Sequence, residues 1–144
     1  MACRATAMAA VAAAQARFGD LPAARMTALG LSGTAASAEA LSIVALALVD
    51  AKDLAGARAM ANAALILIGD AKVFSGHLVS WALARSGDFA GALTLATRLD
   101  RNSAWGSSDG DDALAMVAYE QARAGNRAAA VATVMAQLQR VPVR

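Results

Sequence analysis

A short turn motif that recurs four times constrains this chain more than any other feature. Each copy is a dipeptide in which a glycine, or once a lysine, precedes an aspartate or asparagine. The second residues of the four dipeptides are Asp20, Asp53, Asp88 and Asn126, at spacings of 33, 35 and 38 residues. A glycine just past a helix end takes the left-handed conformation that closes the helix, and an adjacent Asp or Asn caps the next helix. The motif therefore predicts four helix–turn–helix units.

The first residue of each turn dipeptide is called the glycine position, and it is occupied by Gly19, Lys52, Gly87 and Gly125. Lysine has a side chain that disfavours the left-handed conformation. We therefore expect the second turn to be strained or to have a different shape from the other three.

Small and branched residues recur in the same register around each turn. A valine always stands eight residues before the glycine position: Val11, Val44, Val79 and Val117. The residue after it is always small: Ala12, Ala45, Ser80 and Ala118. An alanine always stands five residues after the glycine position: Ala24, Ala57, Ala92 and Ala130. Small residues at matched places in successive helices let those helices cross closely, so the pattern predicts tightly packed helix pairs.

The repeat predicts one all-α domain over residues 1–144, with units at about 5–33, 37–69, 71–104 and 110–142. The first helices are expected at about 5–18, 37–51, 71–86 and 110–124. The second helices are expected at about 22–30, 54–68, 89–100 and 127–140. Asp70 and Ser108 are candidate N-caps. Alanine fills 42 of the 144 positions, and it is the best helix former.

The segment Gly87-Asp88-Phe89-Ala90-Gly91-Ala92 carries a Gly-Asp-aromatic-x-x-Ala turn. With this turn, the small crossing residues and a unit of about 34 residues, the chain resembles the tetratricopeptide repeat over residues 5–142. The resemblance implies a right-handed α-solenoid of about four repeats. It also implies the family's usual role, which is to hold a partner peptide or domain in a concave groove.

The first helices line the concave face in such a stack. Residues two, six and ten before the glycine position would point there, and in the later repeats they are His77, Trp81, Arg85, Tyr119 and Arg123. Trp, Tyr and Arg anchor binding partners well, and Arg can grip a carboxylate or phosphate with two bonds. The sequence thus predicts a partner-binding patch at these five residues.

A structural interpretation of the same residues remains open. Trp81 and Tyr119 would then pack between repeats and fill space that alanine leaves. Arg85 and Arg123 would sit near helix C-termini, where a cation is favourable without any ligand.

Catalytic and metal-binding patterns are weak in this sequence. His77 is the single histidine and Cys3 the single cysteine, which is too few for a zinc site or an internal disulfide. Asp109-Gly110-Asp111-Asp112 lacks the spacing of a calcium loop, and it fits the start of a helix. We therefore expect no catalytic residue, no metal and no cofactor. An enzyme that uses His77 as a general base is the alternative.

The net charge of +2, without a basic run, predicts no nucleic-acid partner. No apolar stretch is long enough to span a bilayer, so we expect no membrane partner. The expected compartment is the cytoplasm. The alternative is export with residues 1–16 as a signal peptide, because Arg4 precedes an apolar run and Ala14-Gln15-Ala16 resembles a cleavage site.

The last helix carries an apolar stripe of Val131, Val134, Met135 and Leu138. Stacked repeats usually need a polar end, and this stripe would be open to solvent. The second interpretation is therefore a structural or assembly module that self-associates through the C-terminal helix, or a fragment of a longer solenoid.

Overall fold

The described part of the chain, residues 2–31, 35–68, 76–102 and 109–139 of a computed structural model, is helical and contains no β-strand. Its eight helices are α1 (Ala2–Arg17), α2 (Leu21–Leu29), α3 (Ala35–Asp50), α4 (Leu54–Ile68), α5 (Gly76–Arg85), α6 (Phe89–Asn102), α7 (Asp109–Arg123) and α8 (Arg127–Leu138). This confirms the all-α class, and the bounds agree with the predicted helices to within a few residues. The predicted caps Asp70 and Ser108, the start of the third unit at 71–75 and the end of the fourth at 140–142 lie outside the described residues.

The four predicted turns share one hydrogen-bonding pattern. The residue at the glycine position donates its backbone N–H to the third residue back, and the following Asp or Asn donates to the fifth residue back, at 2.9 Å in every turn. Two such bonds close a helix end through its free carbonyls. The same Asp or Asn then accepts a backbone N–H of the next helix through its side chain: Asp20 from Ala23, Asp53 from Gly56, Asp88 from Gly91 and Asn126 from Ala129. One dipeptide therefore ends one helix and starts the next.

Lys52 takes the left-handed conformation, with a φ of +66°. Its turn has the same two backbone bonds and the same cap as the glycine turns, whose φ values are +83°, +91° and +84°. The second turn therefore has the common shape, and of the two alternatives that the sequence left open, strain or a different shape, the structure shows strain. The backbone of a residue with a Cβ is disfavoured there, so the strain that the sequence predicted does fall on Lys52.

The helices pack as antiparallel pairs, α1 with α2, α3 with α4, α5 with α6 and α7 with α8. Each first helix also packs on the first helix of the preceding pair, so that α1, α3, α5 and α7 contact one another in sequence. The same first helices pack on the preceding second helices, as α3 does on α2, α5 on α4 and α7 on α6. Each first helix after α1 therefore lies in the groove of the pair before it.

The repeated small residues lie where the paired helices cross. Ala24, Ala57 and Ala92 are fully buried and Ala130 is nearly so. In the third pair Ser80 replaces the usual alanine of the first helix, and its hydroxyl donates to the backbone oxygen of Ala92 at 3.0 Å. A buried hydroxyl needs such a partner. Ser80 therefore fits between the two helices without an unpaired polar group, and α5 and α6 can still cross closely.

Candidate functional site

A buried carboxylate, Glu120, lies at the centre of a group of polar side chains from α5 and α7. It lies on α7 and is only 7% exposed. Trp81 donates its indole N–H to Oε1 of Glu120, with 3.0 Å between the two atoms. Nε of Arg85 lies 3.8 Å from the same oxygen, and Nη1 of Arg123 lies 3.6 Å from Oε2. A carboxylate this deep in a protein needs such partners. The four residues are called the Glu120 cluster below.

Arg85 connects the first helices of three successive pairs. From α5 its Nη2 lies 2.9 Å from Oδ1 of Asp50 on α3, and its Nε faces Glu120 on α7. Its guanidinium carbon also lies 6.0 Å from the centre of the Trp81 ring, at the limit of a cation–π contact. The Arg85 side chain is 16% exposed, so most of its binding capacity is used inside the protein.

A polar hollow of about 400 Å³ adjoins the cluster, where α3, α5 and α7 end. The large side chains that line it are Asp50, Lys52, Arg85, Phe89, Glu120 and Arg123. The cations Lys52, Arg85 and Arg123 outnumber the carboxylates in this set. The side chain of Arg123 is 54% exposed, and Lys52 is also exposed. These two cations are therefore more open to solvent than Arg85.

The structure divides the five residues that the sequence singled out. Trp81, Arg85 and Arg123 meet at Glu120, as members of its cluster. His77 lies one helical turn before Trp81 on α5 and is half-buried. Tyr119 is 61% exposed and lies elsewhere, on an apolar hollow of about 540 Å³ formed by α7 and α8.

The apolar hollow is separate from the polar one. Its principal residues are Ala115, Tyr119, Ala122, Val131, Val134 and Met135. The predicted C-terminal stripe is exposed, since Val131, Val134, Met135 and Leu138 are all open to solvent.

Sequence reasoning missed Glu120 and Asp50 as partners of the predicted residues. The register does contain a signal for Glu120. Five residues before the glycine position the other pairs have alanine, namely Ala14, Ala47 and Ala82. A glutamate at a position that is otherwise small and apolar is expected to have charged or polar partners close by.

Among the residues that the structure describes, no group of three or more His, Cys, Asp or Glu side chains is placed to hold a metal ion. Within the same part of the chain, none of the helices combines the length and the apolar character that crossing a bilayer requires.

Compared with protein-family models, with curated proteins and with solved structures, the chain matches none of them. Over its described residues the protein is all-helical and is built from four helix pairs that are joined by similar turns.

Proposed function

We propose that this protein is a binding scaffold, a tetratricopeptide-like right-handed α-solenoid that holds a peptide or a partner domain in a concave groove of its first helices. Three observations support the arrangement: the four equivalent turns, the close crossings within pairs, and the contact of each first helix with the next. Pairs that contact only their neighbours are typical of solenoids.

The observation that carries the binding proposal is the polar hollow between α3, α5 and α7. Arg85 forms part of its wall, where Asp50 already engages it. Trp81 lies behind the wall and holds Glu120 in place through the indole bond. Lys52 and Arg123 are the exposed cations at its rim. A cavity with surplus positive charge and reachable donors suits a segment that presents carboxylates, from acidic side chains or a free C-terminus. We therefore assign the direct contacts to Lys52 and Arg123, and a positioning role to Trp81 and Arg85.

A displayed peptide library selected on the folded protein tests this proposal. We expect the retained peptides to carry acidic groups. Changing both Lys52 and Arg123 to Gln should weaken their binding about tenfold or more, measured by fluorescence anisotropy. Added salt should also weaken binding, because the contacting charges are exposed.

The matched control changes Arg17 and Arg127 to Gln, which removes two exposed cations outside the hollow. This control should bind the peptides as the parent does, and circular dichroism should show both double variants folded. If no peptide is retained, or if the Lys52/Arg123 variant binds every peptide as well as the parent, the groove proposal is wrong.

The same proposal treats the protein as a binder without catalytic activity, and places it in the cytoplasm.

A further inference from the structure

At the two ends of the row of helix pairs, α1 and the pair α7–α8 expose apolar residues whose equivalents in the other pairs are mostly buried or half-buried. On α7 and α8 this exposed surface, called the back face, consists of Ala115, Tyr119, Ala122, Val131 and Val134. On α1 the corresponding surface, called the front face, consists of Ala7, Met8, Val11 and Ala14.

The exposure of Val134 indicates which kind of helix would cover the back face. Val134 stands nine residues after the glycine position and is 43% exposed. The equivalent residues of the first three pairs, Ala28, Ala61 and Ala96, are fully buried. Likewise Ala122 is exposed, whereas its equivalents Ala16 and Ala84 are buried and Val49 is half-buried. The first three pairs differ from the fourth in that the first helix of a following pair packs on them. The back face is therefore shaped to receive a first helix.

The exposure of Val11 indicates in the same way what would cover the front face. Val11 is 45% exposed, while the equivalent Val44, Val79 and Val117 are fully buried. All four first helices pack on the second helix of their own pair, but α1 alone has no preceding pair among the described residues. The front face is therefore shaped to enter the groove of a preceding pair.

The front face also resembles the surface that already occupies such a groove. On α7 the equivalent residues are Ala113, Leu114 and Val117, all buried beside α5 and α6. The front face has Ala7, Met8 and Val11 at these places, so it keeps the alanine and the valine and exchanges Leu for Met. Its fourth residue, Ala14, stands where α7 has Glu120, so the polar contacts of Glu120 are not reproduced. Leu and Met have similar volumes and exchange readily in protein cores.

We propose that the chain associates head to tail, with the front face of one copy docked on the back face of a second copy. The contact continues the packing of α7 on α5 and α6, which is the established interface that it copies. The two faces differ, so the contact is heterologous and does not close on itself unless the stack curves into a ring. Copies therefore add in a row, and the mass grows with concentration.

Charge contributes little to this contact. First helices lie at matched levels, as the bond between Arg85 and Asp50 shows, since each stands two residues before its glycine position. At matched levels Arg4 of the added copy faces Asp111 and Asp112, which is favourable. Arg17 of the added copy faces Arg123, which is unfavourable. Assembly should therefore resist added salt, unlike the proposed binding of acidic peptides.

Two end-blocked variants test the proposal. Val11→Glu blocks the front face and Val134→Glu blocks the back face, so each variant alone should stay at the 14.5 kDa of one chain in sedimentation velocity at every concentration. An equimolar mixture should form a dimer of twice that mass, because the free back face of one variant meets the free front face of the other. Ile66→Glu, which changes an exposed residue of α4 outside both faces, should associate as the parent does.

The outcomes separate the alternatives. A parent chain that remains monomeric overturns the proposal, and so does a mixture of blocked variants that fails to pair. If Val11→Glu still dimerises and Val134→Glu does not, the contact joins two back faces and the head-to-tail arrangement is wrong. Should either variant fold poorly by circular dichroism, Met8→Glu and Val131→Glu block the same faces. Selected peptides should still bind the blocked variants, so the groove and the assembly can fail independently.

Discussion

Thr133 places its hydroxyl oxygen 2.8 Å from Oε1 of Gln121, and Thr27 lies at the same 2.8 Å from Gln15 in the first pair. These residues occupy the same two positions of the repeat, four before and eight after the glycine position. The second and third pairs have Leu48 with Met60 and Leu83 with Leu95 there, all buried. The two positions therefore change together, as a hydrogen-bonded pair in the outer repeats and an apolar pair in the inner ones.

This relationship predicts strong coupling between Gln121 and Thr133. Thr133→Leu alone should destabilise the protein by about 1–3 kcal/mol, because it leaves the buried Gln121 amide without this partner. Adding Gln121→Leu recreates the apolar pair of the third repeat and should restore most of the loss. Urea denaturation of the parent, both single variants and the double variant measures the coupling. The same cycle at Gln15 and Thr27, which are half-buried, should give a smaller value.

The turns are the part of the fold that sequence predicts best. Their geometry depends on two adjacent residues and on backbone bonds within six residues. The dipeptide Gly87-Asp88 is therefore enough to predict its turn. At Lys52 the sequence left strain or a different shape open. The backbone bonds and the Asp53 cap together outweigh the local preference of lysine, so the turn keeps the common shape and the strain falls on Lys52.

The candidate site was harder to predict because its contacts cross from one pair to the next. Trp81 and Glu120 are 39 residues apart, and Arg85 and Asp50 are 35 apart. Helical spacing placed His77, Trp81 and Arg85 on one stripe, but periodicity within a helix does not tell which residue of the neighbouring helix each one meets. Tyr119 illustrates the limit, because its side chain lies on the apolar hollow instead.

Lys52→Gly should stabilise the protein by about 0.5–1 kcal/mol, since it relieves a left-handed residue that carries a Cβ. The reverse change at Gly125, to Ala, should destabilise it by about 1 kcal/mol. A Cβ at Gly125 would meet no atom within 4 Å, so backbone conformation alone is tested there. Thermal melts compare both variants with the parent. Equal melting temperatures in all three proteins would contradict the strain assigned to Lys52.

Gly76 and Leu99 form a second matched pair of positions. A Cβ on Gly76 would lie 2.5 Å from a methyl carbon of Leu99, and the second repeat has Leu41 and Ala64 at the equivalent places. Gly76→Leu should therefore cost about 1–3 kcal/mol through overpacking. Leu99→Ala added to it should recover most of that cost, although alone it leaves a cavity. Denaturant midpoints of the parent, the two single variants and the double variant measure these changes. A double variant no more stable than Gly76→Leu alone would contradict the pairing.

Glu120 is expected to stabilise the contact between the third and fourth pairs. Glu120→Ala should destabilise the protein by about 2–3 kcal/mol, because it removes the acceptor of the Trp81 indole and leaves Arg85 with Asp50 as its remaining carboxylate. Glu120→Gln keeps an oxygen for Trp81 and loses only the charge, so it should cost less. The measurement is chemical denaturation, with an Arg85→Met background added to complete a cycle. If Glu120→Gln and Glu120→Ala are equally destabilised, the indole bond contributes nothing; if neither is destabilised, the cluster is not a structural element of this fold.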